Sequence, residues 1–215
     1  MKETDIDTMQ DQWLKMWDNR YKQQVYVYGE EPNNYFKEQL SNIKPGKILL
    51  GAEGEGRNAV FAAKLGWQVS AFDISHEGKK KALELAKEND VNIDYRVGSF
   101  PELGFELDHY DAIALIYAHF PPSLRKDYYQ LLDNCLKSKG HVIFEAFGKS
   151  HLPYRSKNPK VGGPQDIESL YSIEDLELCF PNYKSIELAE KEIELSEGIY
   201  HNGVGSVTRF HGVKM

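Results

Sequence analysis

The stretch from Pro45 to Asp73 constrains this chain most. A Pro-Gly turn precedes the apolar run Lys47-Ile48-Leu49-Leu50, which passes into a loop with glycine at 51, 54 and 56. An alanine-rich run from Ala59 to Leu65 is stopped by Gly66, and a second apolar run from Val69 to Phe72 ends on Asp73. The switch from short apolar run to helical run and back predicts strand, loop, helix and strand. Such a unit handles nucleotides: Gly54 and Gly56 let a ligand approach backbone, the helix behind them offers free N–H groups, and an acid at the second strand end accepts ribose hydroxyls.

The loop's charges bear on which adenosine-bearing ligand is held. Gly54, Gly56 and Ala59 satisfy the dinucleotide pattern G-x-G-x-x-G/A, and Asp73 follows at about the ~20-residue spacing of that fingerprint. Glu53 and Glu55, however, bracket Gly54. Two carboxylates beside a diphosphate repel it, at about 1 kcal/mol each when solvated. S-adenosylmethionine (SAM) carries an ammonium and a sulfonium and no phosphate, so it escapes that repulsion. If instead both glutamates point to solvent and only backbone faces the ligand, a nicotinamide-dependent oxidoreductase stays open.

The run Ala52-Glu53-Gly54-Glu55-Gly56-Arg57-Asn58-Ala59 resembles the first motif of class I SAM-dependent methyltransferases, in the tellurite-resistance and thiopurine methyltransferase-like branch. The resemblance continues in Trp17-Asp18-Asn19-Arg20-Tyr21, in Tyr26-Val27-Tyr28-Gly29-Glu30-Glu31-Pro32-Asn33 and in His119-Phe120-Pro121-Pro122, and so covers most of the chain. It implies a three-layer Rossmann-like α/β fold with a seven-stranded sheet in the order 3-2-1-4-5-7-6, mostly parallel with an antiparallel last strand. It implies cofactor contacts from Trp17, Ala52, Glu53, Gly54, Gly56, Asp73, Ile74, Ser99, Phe100 and Ile116, and an acceptor that is a small soft nucleophile such as a thiol or a selenium or tellurium oxyanion. The chain departs from the class at Leu50, where an acid is usual, at Ala52, where the first glycine is usual, and at Ser99, where an acid often holds adenine. Those departures keep a non-catalytic SAM-binding protein as another reading.

A length of 215 residues fits one α/β domain with an appended segment, here an N-terminal helix and lid over residues 1–42 and a core over 43–215. The net charge of −7 disfavours a nucleic-acid surface, which needs clustered cations. Cys135 and Cys179 both fall in helical runs without the paired spacing of a metal site, and a reduced compartment is the default for so few cysteines. Met1 to Asp11 lacks the apolar stretch of a signal peptide and no run spans a membrane, so we expect a cytoplasmic protein.

Ile6, Met9, Trp13, Met16 and Trp17 recur at helical spacing. The tyrosine-rich segment Tyr21 to Asn34 then reads as a lid, with Trp17 and Tyr28 as its inward aromatic contacts. Ser75 caps the next helix; strands follow over Asn92–Val97 and Asp111–Tyr117; Pro121 to Lys137 is a helix closed by Gly140; and His141–Phe147 is the fifth strand. Lys149 to Ser169 is a long loop at the ligand edge, containing His151, Tyr154 and Arg155. After a helix from Ser172, two strands over 184–195 and 204–214 are joined through an Asn202-Gly203 turn, and must be antiparallel because too few residues lie between them for a crossover.

Methyl transfer from a sulfonium is an in-line displacement that requires alignment, exclusion of water and, for some acceptors, removal of a proton. His119, just past the fourth strand, can serve as base or hydrogen-bond donor, and Arg125 one turn later can hold an anionic substrate. His201, between the last two strands, falls on the same edge, and Tyr28 completes the acceptor-side candidates.

Overall fold

The computed structural model describes residues 3–215, with side chains from residue 12 onward, so the packing of Ile6 and Met9 lies outside the described residues. Helices α1 (Glu3–Tyr21) and α2 (Asn34–Ser41) precede an alternating series: β1 (Lys47–Gly51), α3 (Arg57–Lys64), β2 (Gln68–Asp73), α4 (His76–Glu88), β3 (Asp94–Val97), β4 (Tyr110–Ile116), α5 (Pro122–Cys135) and β5 (Leu136–Phe147). Helices α6 (Leu152–Lys157) and α7 (Ile173–Cys179) and the strands β6 (Tyr183–Glu197) and β7 (His201–Lys214) complete the chain. The seven strands form one sheet in the order β3-β2-β1-β4-β5-β7-β6. Only β7 runs against its neighbours β5 and β6; the other pairings are parallel. This is the Rossmann-like order expected.

The near-continuous apolar strands have a simple cause, since alternate residues go to opposite faces and both faces are covered. Ile48, Leu50, Ala112 and Ala114 pack with Phe36, Leu40, Ala59, Ala62 and Ala82 of α2, α3 and α4. Leu49, Ile113, Leu115 and Phe144 pack on the other face with Tyr128, Leu132 and Leu176 of α5 and α7. Parallel strands bring β1, β2 and β4 to one edge at their carboxyl ends, where the loops after them converge.

Several local expectations are corrected. Helix α5 ends at Cys135, before Gly140, because Leu136 turns extended and pairs with Tyr110. Gly140 lies instead inside β5, where a Cβ would come within 2.6 Å of the Leu136 side chain. The segment 149–169 is built from three short 3-10 turns and α6 rather than being an open loop. The β6–β7 turn falls at Gly198, and Asn202 and Gly203 already pair with Ser196 and Leu195 within the ladder.

Residues 22–33 form no helix or strand, yet they are tied at many points. Val27 is fully buried, and Ile199 N–H donates to the Val27 carbonyl at 2.9 Å. Gly198 seats the turn against this segment: its φ is +63°, and a Cβ there would lie 2.7 Å from Gly29 N and from the Tyr28 carbonyl carbon. The segment expected as a lid is therefore a cover bonded to the hairpin. Gly198→Ala should combine left-handed strain with a backbone clash, lowering stability by about 1–3 kcal/mol in chemical denaturation. A loss below a few tenths would show that the turn and cover are not held together.

Candidate functional site

The loop after β1 alternates residues in the left-handed region: Ala52 at φ 53°, Gly54 at 60° and Gly56 at 88°. A side chain at 54 would reach within 2.6 Å of the Tyr21 hydroxyl, and one at 56 within 2.5 Å of the Ala82 Cβ, so both glycines permit close approach of protein to protein. This geometry turns Glu53 inward. Its Oε1 accepts from the N–H of Ala59 at 2.7 Å, in the first turn of α3. A carboxylate of the protein thereby occupies a donor at the helix N-terminus, the place where a dinucleotide's phosphate would bind. Burial raises the Glu53 carboxyl to about 7, against the opposing pull of the Ala59 N–H and of Arg57.

Glu55 is also buried but turns the other way. It accepts from Val27 N–H at 2.8 Å and pairs with Lys81 Nζ at 2.7 Å, fastening the cover to the loop. Neither glutamate points to solvent, which removes the reading in which only backbone faces the ligand. At the end of β2, Asp73 accepts from Ser75 N–H at 2.9 Å and from Gly54 N–H at 3.0 Å. Burial raises its carboxyl to about 6, although those N–H groups lower it.

These residues open onto a cavity of about 710 Å³, within the range of small-ligand sites. Trp17, Ala52, Glu53, Gly54, Asp73, Ile74, Phe100 and Ile116 line it, as do Tyr28, His119 and His201. Three expected residues do not. Gly56 faces α4, Ser99 sits beside the Tyr128 hydroxyl at 3.2 Å, and Arg125 lies over the Tyr171 ring at 4.1 Å while donating to the Glu168 carbonyl at 3.0 Å. Arg125 thus fastens residues 167–169 to the α5 side of the sheet.

The two histidines differ sharply. His119 Nδ1–H donates to the Ser169 carbonyl at 2.9 Å, and Nε2 accepts from Phe147 N–H at 3.4 Å. Burial lowers its pKa to about 3, so it is a neutral strut with both nitrogens engaged and a poor base, contrary to the acid–base role expected from its position. His201 Nδ1–H donates to Glu197 Oε2 at 2.9 Å, and no described residue bonds its Nε2. Burial lowers the His201 pKa against the opposing effect of Glu197, leaving a neutral imidazole whose tautomer is fixed by the carboxylate. Burial alone would raise Glu197, but Arg57 Nη2 at 2.9 Å and His201 together hold it at about 2.

Arg57, Glu197, Tyr117 and Phe147 belong to this end of the site and were not picked out from the sequence. Arg57 carried a signal, standing directly after Gly56 in the loop motif. Glu197 carried none, because its partners Asn33 and Arg57 lie on remote parts of the chain.

Residues 48–140 match the family described as methyltransferase domain. A comparison of the sequence with curated proteins gives no match. Among solved structures, a SAM-dependent methyltransferase from Anabaena variabilis aligns over 96% of this chain and 95% of its own, at 17% identity and a TM-score of 0.67. A protein solved in work on conversion of a disulfide bond into a thioacetal group during echinomycin biosynthesis aligns over 94% and 92%, at 14% identity and a TM-score of 0.75. TehB from Haemophilus influenzae aligns over 94% of this chain and 67% of its own, at 14% identity and a TM-score of 0.63. At these identities the structural likeness establishes the fold. Over residues 48–140 the chain is similar to a methyltransferase domain. The residues present would suit S-adenosylmethionine: Asp73 keeps lone pairs for ribose hydroxyls, Glu53 is turned inward from the loop, and the cavity holds about 710 Å³. No helix among the described residues is long and apolar enough to cross a membrane.

Asp73→Ala should weaken binding of SAM and its demethylated product by about 1.5–3 kcal/mol in titration calorimetry. Glu53 carries a sign-determined pH effect. Its folded pKa of about 7 exceeds the unfolded 4.5, so ionisation costs stability by an amount absent below the lower value and complete above the upper one. Glu53→Gln keeps the acceptor for Ala59 N–H and removes the charge. It should therefore stabilise the cofactor-free protein by on the order of 2 kcal/mol at pH 8, and hardly at all at pH 4.5. A pH-independent difference would refute the burial argument.

Proposed function

We propose that this chain transfers the methyl group of SAM to a small-molecule acceptor bound beneath the cover, with His201 taking the acceptor's proton. The observation that carries this reading is the Glu53 carboxylate on the N-terminal turn of α3. A dinucleotide would have to place a phosphate against that carboxylate, which argues against the nicotinamide-dependent oxidoreductase, whereas a cationic cofactor is attracted to it.

SAM supplies an electrophilic methyl group and leaves as a neutral thioether. The protein's own part is to orient, dehydrate and deprotonate the acceptor. Tyr28, Tyr117 and Phe147 surround the His201 ring at centroid distances of 4.6, 4.4 and 5.2 Å, which keeps water from the imidazole. With Nδ1–H committed to Glu197, Nε2 carries the lone pair, and the charge formed when it takes a proton is balanced by that carboxylate. The acceptor's reacting group in this reading is a thiol, whose proton His201 takes, or a selenium or tellurium oxyanion, which needs no deprotonation, in keeping with the resemblance to the tellurite-resistance and thiopurine branch. The departures at Leu50, Ala52 and Ser99 favour a non-catalytic SAM-binding protein as the second reading.

Calorimetry should show binding of SAM and of S-adenosylhomocysteine but not of NAD; the reverse result would sink the proposal. His201→Asn should lower kcat by about 10²–10⁴-fold, the usual contribution of a positioned base, while leaving cofactor affinity unchanged. Because burial holds His201 below 6.5, the acid limb of the wild-type rate profile should fall below pH 6.5, with a plateau at neutral pH. A protein that binds SAM yet methylates no thiol, oxyanion or amine would support the second reading.

A further inference from the structure

Two cations on the cavity wall are left unused by the methyl-transfer scheme. Arg20, in the last turn of α1, and Arg155, in α6, both line it beside Tyr28. Arg20 is held in position: Nη1 donates to the Tyr28 hydroxyl at 2.8 Å, and the guanidinium lies 4.8 Å from the Trp17 ring and 5.0 Å from the Tyr200 ring. Arg155 forms no hydrogen bond or ion pair with any described residue, and its Nε is buried without a partner. The two are near enough for Arg20 to lower the Arg155 pKa, second to burial itself.

The carboxylates nearby are committed elsewhere. Glu197 serves Arg57 and His201, and Asp166 accepts from Glu168 N–H at 3.2 Å and from the Ser169 hydroxyl at 3.4 Å. In a chain with a net charge of −7, two guanidinium groups on one cavity wall with no ion pair among the described residues are an unfavourable arrangement for the empty site alone. A bound oxyanion resolves it, since the planar donor forks of arginine match carboxylate and phosphate oxygens. Arg57 shows the contrast, being satisfied by Glu197 and the Tyr28 carbonyl, while Arg125, whose Nε is also buried without a partner, still donates through Nη2 to the Glu168 carbonyl.

We infer that Arg20 and Arg155 anchor a permanent oxyanionic group carried by an organic acceptor, holding it so that the acceptor's nucleophile faces the cofactor. This rests on the methyltransferase reading for the role of the bound molecule, but the anion site itself does not. Glu53 and Asp73 line the same cavity, so it offers acidic groups to a cationic cofactor as well as guanidinium groups to an anionic acceptor.

The test titrates benzoate, its neutral isostere benzamide, and sulfate into protein saturated with S-adenosylhomocysteine, and repeats the benzoate titration without it. Benzoate should bind at least tenfold more tightly than benzamide. Arg20→Gln and Arg155→Gln should each reduce benzoate affinity at least tenfold with S-adenosylhomocysteine affinity unchanged, and Arg125→Gln should leave both intact. Equal binding of benzoate and benzamide, no benzoate binding at ten millimolar, or an equal loss in Arg125→Gln would overturn the inference. Sulfate binding as tightly as benzoate would overturn its organic part and make the inorganic oxyanion itself the ligand. If Arg155→Gln loses cofactor affinity through misfolding, Arg155→Lys, which keeps the charge without the fork, should still weaken benzoate more than severalfold. Benzoate binding without any S-adenosylhomocysteine binding would fail the methyltransferase reading and leave the anion site standing.

Discussion

A buried chain of charges holds the site together. Arg209 Nε donates to Glu145 at 2.6 Å, Asn33 Nδ2 bridges Glu145 at 2.6 Å and Glu197 at 2.9 Å, and Glu197 in turn receives Arg57 and His201. Five parts of the chain meet there: the cover, the start of α3, β5, the end of β6, and β7. Removing one partner of such a network leaves a buried charge uncompensated, at about 3–5 kcal/mol, so its members specify one arrangement and disfavour others. Asn33 has a further task, since its Oδ1 accepts from Phe36 N–H and so starts α2. The same side chain therefore fixes both where the cover ends and where the hairpin tip sits.

From this follows the shape of the cavity. The cover lies closed because Glu55, Lys81, Glu197 and Gly198 hold it from both sides. Aromatic rings fill the space between, and burial and a named partner set the protonation states of three polar groups there. Glu197 is kept ionised, His201 neutral and His119 neutral with no free nitrogen. Both acids and guanidinium groups line the cavity, Glu53 and Asp73 with Arg20, Arg57 and Arg155.

The sequence by itself determined the sheet and the cofactor loop. Two-sided burial demands continuous apolar strands, a left-handed loop demands glycine, and a helix after it demands small residues, so each left a local mark from Lys47 to Asp73. The antiparallel final pair was likewise legible, because too few residues separate β6 from β7 for a crossover. Only the tertiary structure decided the turn at Gly198, the end of α5 at Cys135, and the direction of Glu55, since each depends on a neighbour distant in sequence: Val27 and Gly29, Tyr110, and Val27. The division between His119 and His201 belongs to the same class. Both stand past strand ends in the sequence, and what separates them is that Ser169 and Phe147 occupy one ring while Glu197 orients the other. Local periodicity records which backbone a residue prefers; it does not record which remote partner takes its hydrogen bond, and on that partner the chemistry of a buried polar group depends.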